Sequence, residues 1–157
     1  SVLIGFESDF YDAPDTGAGF CEVKAVCAEL LVSGTTVTRS ETGLVPPGPP
    51  LGNCEPNRRP MQARICPDEG VVVGLAAIRS GLYNAITEIE LRCGALDETG
   101  FIFNRAYGET WGDQIGAAGP RQTTDCTDPT VATGIYGGLG IVIDALGLEC
   151  QSLAVQE

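Results

Sequence analysis

The feature that most constrains this chain is a short segment that occurs three times. Val2–Phe6 reads VLIGF, Val71–Leu75 reads VVVGL and Val131–Ile135 reads VATGI. Each V-x-x-G-apolar copy is followed by a second shared segment: FCEVKAVCAEL at Phe20–Leu30, ITEIELRCGAL at Ile86–Leu96 and IDALGLECQSL at Ile143–Leu153. In register, the apolar columns are Phe20/Ile86/Ile143, Val23/Ile89/Leu146, Ala25/Leu91/Leu148 and Leu30/Leu96/Leu153, while Cys27, Cys93 and Cys150 share one column. Apolar positions recur with period two, which predicts half-buried strands.

A third shared segment precedes two of the copies. PMQARIC at Pro60–Cys66 matches PRQTTDC at Pro120–Cys126, with Gly52-Asn53 and Gly112-Asp113 at equal distances upstream. Self-similarity at a period of roughly 60 residues marks a repeat architecture in which each unit covers its neighbour's apolar face. The glycine of each V-x-x-G copy suits a bulge or a close backbone approach. The reading is one domain, 1–157, of three β units, roughly 2–51, 52–111 and 112–157. The run GLVPPGPPLG at Gly43–Gly52 cannot sit inside a ladder and is expected as a stiff exposed loop.

Composition narrows the function. A net charge of −12, with Lys24 the single lysine, leaves no basic face to displace counterions from nucleic acid. The longest apolar run, around Val71–Ile78, is too short to cross a bilayer. Seven cysteines without histidine and without C-x-x-C point to disulfides in an oxidising, extracellular compartment and away from zinc. The chain opens at Ser1 without a methionine, as a processed mature protein would and as removal of the initiator Met alone would also leave it.

The segment ITEIELRC at Ile86–Cys93, the Trp111-Gly112-Asp113 step, and Cys126 leading into Val131–Ile135 resemble the vitelline membrane outer layer protein I family, and more loosely the jacalin-like lectins. The resemblance implies a β-prism: antiparallel Greek-key sheets around a pseudo-threefold axis, in an extracellular coat or matrix protein that contacts carbohydrate. Family pattern and repeat together suggest the disulfides Cys66–Cys93 and Cys126–Cys150. Of Cys21, Cys27 and Cys54, either of the first two could pair with Cys54, and one thiol is left over as a free group or a link to another chain. The first copy begins at Val2, so the W-G strand and leading cysteine expected ahead of it are missing. One sheet should then lack strands, and Cys27 should lack its usual partner.

A sheet short of strands exposes unpaired backbone groups. The leading expectation is therefore a non-catalytic structural or adhesive subunit that self-associates by strand complementation into a homo-oligomer or homopolymer forming a filament, layer or coat. The alternative is a monomeric carbohydrate-binding module, with Trp111 beside Asp113, Tyr83 beside Asn84, or Tyr136 as the aromatic platform. Catalysis by Ser-His-Asp or Cys-His is excluded by the lack of histidine. A carboxylate-based glycan-modifying enzyme is the least favoured reading, because Glu88 and Glu90 occupy outward strand positions. The acidic run Glu7–Asp15 makes Asp9, Asp12 and Asp15 the candidate calcium ligands.

Overall fold

The computed structural model describes residues 1–13, 17–45, 50–54, 58–82, 84–112, 118–139 and 142–153. Among them the chain is all strand and turn, with no helix, and every strand pairing is antiparallel. No helix long and apolar enough to cross a membrane occurs among the described residues.

Three hairpins carry the repeat. They are β1 (Val2–Ala13) with β2 (Gly17–Ser33), β7 (Val71–Ser80) with β8 (Ile86–Leu96), and β11 (Thr130–Leu139) with β12 (Ile143–Ser152). Their internal registers coincide residue for residue. Phe6 faces Ala25, Leu75 faces Leu91 and Ile135 faces Leu148. Each hairpin breaks register at its V-x-x-G glycine, between Leu3 and Gly5, Val72 and Gly74, and Ala132 and Gly134. Each breaks again four residues later, after Asp9, Ile78 and Gly138. An extra residue at the same two heights gives all three ribbons the same local bend.

The hairpins differ in what flanks them. The first is joined by β3 (Thr36–Val45) and the short β4 (Leu51–Gly52) on its β2 side, so both ends of the run expected as an exposed loop pair with β2 instead, and by β5 (Arg58–Pro60) and β6 (Arg64–Ile65) on its β1 side. The second is flanked by β9 (Ile102–Gly112) against β8 and β10 (Ala118–Asp125) against β7. The third stands as a two-stranded sheet among the described residues. The segment ahead of each later V-x-x-G copy thus pairs back onto the preceding hairpin, so the sheets change hands near Cys66 and Cys126, later than the repeat limits.

The inner faces of all three sheets meet in one apolar cluster. Leu3, Phe6, Phe10, Phe20 and Val23 come from the first sheet, Val72, Leu75, Ile86, Ile89 and Trp111 from the second, and Ala132, Ile143 and Leu148 from the third. A second cluster gathers Val2, Val71 and Val131, the opening valines of the three copies, with Ile4, Val73 and Ile102. These are the alternating columns of the sequence, now sharing one interior. Because three faces close on one another, none is left to water except where flanking strands are absent.

Candidate functional site: an unfilled sheet corner

Three disulfides staple the molecule: Cys21–Cys54, Cys66–Cys93 and Cys126–Cys150. Cys27, one of the cysteines whose pairing was open, remains a free, half-buried thiol. Cys21 takes Cys54 for a local reason. Gly52, at φ +98°, pairs with Glu22, and a Cβ there would lie 1.9 Å from the Cys21 carbonyl oxygen. That close passage sets Cys54 beside Cys21. Gly112 repeats it at φ +115°, pairing with Glu88 and crowding the Thr87 carbonyl.

Two corners of the molecule are built alike. At the first, Cys66 donates its N–H to the Ile4 carbonyl (2.8 Å), accepts from Arg39 (3.4 Å) and bonds to Cys93 on the next sheet. At the second, Cys126 donates to the Val73 carbonyl (2.8 Å), accepts from Arg105 (3.1 Å) and bonds to Cys150 on the third sheet. Each corner couples a hairpin to the following one through a cysteine on an extended segment. Carrying the pattern once more around, the third corner would join the Thr133 carbonyl to Cys27. Cys27 carries a free thiol, and no cysteine-bearing segment pairs with β11 among the described residues.

The third hairpin records the difference in its burial. Ile135 and Leu146 are partly buried, whereas their counterparts Phe6, Leu75, Val23 and Ile89 are at most 1% exposed. Thr133 replaces Ile4 and Val73 and is half-exposed. A cleft of about 350 Å³ opens here, lined by Ser1, Val2, Glu29, Leu30, Thr133 and the end of β12. Burial raises the Cys27 thiol above the usual cysteine range.

The glycine column reports the same vacancy. A Cβ on Gly5 would lie 2.0 Å from the Arg64 carbonyl of β6, and one on Gly74 would lie 2.0 Å from Asp125 Oδ1 of β10. On Gly134 the nearest atom would be Glu149 Oε2, at 2.8 Å, from the hairpin's own second strand.

The expected ligand residues disperse. Trp111, expected as a sugar platform, is instead 4% exposed and packs on Phe6 and Phe20, each 6.4 Å away between ring centroids. It lies on the inner face of β9, opposite Ile89, where the period-two alternation turns it inward. Tyr136 is exposed and lies across Gly147 on the outer face of the third sheet. Asp113 and Tyr83 fall outside the described residues, as do Asp15 and the side chain of Asp12. Asp9 is buried on β1 beside Glu22, whose carboxylate meets Lys24 at 2.9 Å. Among the described residues no group of three acidic or thiol side chains is arranged around a cation.

One polar cluster escaped the sequence reading. On the outer face of the second sheet, Tyr107 lies between two guanidinium groups, Arg121 at 4.7 Å and Arg92 at 5.7 Å. Its hydroxyl donates to Asp125 (2.8 Å), which also meets Arg92 (3.3 Å). Arg121 grips Glu90 through Nε and Nη2 (3.2 and 2.6 Å), and Thr110 donates to the same carboxylate. The Arg121 hydrogen bond holds the Glu90 carboxyl below its ordinary range, and burial with Asp125 raises the Tyr107 phenol. Every charge here is answered by another, so the cluster acts as a latch tying β8, β9 and β10 together. Glu90 and Arg121 are thirty-one positions apart, and only the strand order reveals them as neighbours.

No family model, no curated protein and no solved structure matches this chain.

Proposed function

We propose that this chain is a secreted, non-catalytic structural subunit with a pseudo-threefold β-prism plan, related in design to the vitelline membrane outer layer proteins. Its subunits associate into a coat or filament by adding strands to the incomplete third sheet. The observation that carries this is the contrast between hairpins: of three with the same bulges and register, two are flanked on both sides and the third is bare among the described residues. Unpaired strand edges with half-buried apolar side chains are templates for another chain. The three disulfides support an oxidising, extracellular-type working environment.

Light scattering across a concentration series, without reductant, tests the reading. The expected result is a mass rising in multiples of the subunit. A constant 16.4 kDa at every concentration would remove it.

A second reading, a monomeric carbohydrate-binding module, draws on Tyr136. Its exposed ring lies across Gly147 on the same face as Gly134, beside which Glu149 reaches. An aromatic face next to a carboxylate is a usual sugar platform. Glycan binding by a monodisperse sample, lost in Tyr136→Ala, would favour it.

A further inference from the structure

We propose that the third corner is an acceptor for a cysteine-bearing extended segment from outside residues 1–157, whose other cysteines are all paired, and that this segment pairs with the outer edge of β11 and closes a disulfide with Cys27. The inference rests on the strand-addition reading and names the chemistry of the donor.

The two occupied corners serve as templates. In each, the donor passes as an extended segment against the outer edge of a hairpin's first strand. Its residue before the cysteine faces the V-x-x-G glycine, Ile65 opposite Gly5 and Asp125 opposite Gly74. The residue before that faces the following apolar side chain, Arg64 opposite Phe6 and Thr124 opposite Leu75. The cysteine then binds the carbonyl one position ahead of the glycine and bonds to the next sheet. At the third corner the matching acceptors are Gly134, Ile135, the Thr133 carbonyl and Cys27. Gly134 is clear of any flanking strand among the described residues.

The templates also fix the donor's earlier residues. Gly52 and Gly112 precede Cys66 and Cys126 by the same distance, and each follows a side chain that packs inward against β2 or β8, Leu51 or Trp111. The donor is therefore a segment with Leu or an aromatic residue, then glycine, then a cysteine at that same spacing. Its glycine faces Ala145 and its large side chain covers Leu146 on the open edge of β12, the positions equivalent to Glu22 and Val23.

Bond formation is a thiol–disulfide exchange. The Cys27 thiolate attacks a disulfide already carried by the donor cysteine, for example one formed with a small thiol. A new bond joins Cys27 Sγ to the donor sulfur, the old bond breaks, and the displaced thiol leaves with the proton Cys27 gave up. No net oxidation occurs.

The test uses the whole protein and a peptide copying residues 120–128 (PRQTTDCTD), its cysteine carried as a thiopyridyl disulfide. Adduct formation on Cys27 is followed by intact mass and compared with a scrambled peptide that keeps the cysteine in place. Docking before exchange raises the effective concentration, so the cognate peptide should react at least about tenfold faster. Gly134→Val should lower its rate to that of the scrambled peptide, and Cys27→Ser should abolish the adduct. Equal rates for the two peptides would overturn the inference without recourse to any protein variant. Light scattering on Cys27→Ser, free of peptide, keeps the two readings apart. Association with equal peptide rates removes the acceptor and leaves self-assembly standing. Selective capture by a protein that stays at 16.4 kDa supports the acceptor and removes self-assembly.

Discussion

Gly5, Gly74 and Gly134 are one position of the repeat, and giving each a methyl group reads out what lies against it. At Gly5 the new Cβ would stand 2.0 Å from the Arg64 carbonyl oxygen and 2.7 Å from Ile65 Cα, both backbone atoms. Strand β6 would have to retreat, loosening its pairing with β1 and the hydrogen bond from Cys66 to Ile4. Overpacking of this kind costs about 1–3 kcal/mol, and a weakened backbone hydrogen bond adds about 1 kcal/mol, so Gly5→Ala should cost about 3 kcal/mol. At Gly74 the closest atom, Asp125 Oδ1, belongs to a side chain, but Arg92 Cβ at 2.9 Å leaves it little room. Displacing that carboxylate strains its contacts with Tyr107 and Arg92, for a cost of about 1–2 kcal/mol. At Gly134 the Glu149 carboxylate can swing aside, and alanine removes the entropy penalty of a strand glycine, worth about 0.5–1 kcal/mol. Gly134→Ala should be neutral or slightly stabilising. Urea unfolding at low protein concentration, in a Cys27→Ser background, measures all three. The order should be Gly5, Gly74, Gly134, with about 3 kcal/mol or more between the ends. If Gly134→Ala proves as costly as Gly5→Ala, something already lies against β11, and the open corner does not exist.

Replacing both Cys66 and Cys93 with alanine should lower unfolding free energy by about 3.5 kcal/mol in the chain-entropy model, from a separation of 27 residues. Urea midpoints at constant slope check it. Trp111 buries an indole N–H that has no partner among the described residues. Trp111→Phe removes that unmet donor and should change stability by less than about 1 kcal/mol, while Trp111→Ala should cost about 3–5 kcal/mol. Glu90→Gln should destabilise by less than about 1 kcal/mol at neutral pH, since Arg121 is well exposed. The folded Glu90 carboxyl sits below its ordinary value of 4.5, so the contribution is full above that pH and fades as pH falls through the folded value. Stability curves of parent and variant should therefore meet in acid, and a gap that widens there would contradict the assignment.

Much of this architecture was legible in the residues. The three V-x-x-G copies and their partner segments gave the strands and their buried faces, because a period-two pattern fixes which face is buried, and the shared glycine marked the first bulge; the second bulge, after Asp9, Ile78 and Gly138, left no such mark. Cys27, Cys93 and Cys150 on one column marked equivalent sites, but whether Cys21 or Cys27 takes Cys54 was decided only by the approach of Gly52 to Cys21. Other features left no local trace. Strands β4, β5 and β6 are two or three residues long and are held by pairing with distant strands, so no pattern announces them. Trp111 reads equally as platform or core until its strand's neighbour is known. The Tyr107 latch assembles Glu90, Arg92, Arg121 and Asp125 across three strands, beyond the reach of any spacing rule.

The disulfides close three loops that follow one another without overlap, spanning separations of 33, 27 and 24 residues. Tension applied at the two ends of an oxidised molecule would bypass each loop through its sulfur bridge. More than half of the chain would then stay slack under load, and full extension would fall well short of the reduced polypeptide's contour length. A wall or thread made of such units would be hard to stretch even after its sheets had come apart.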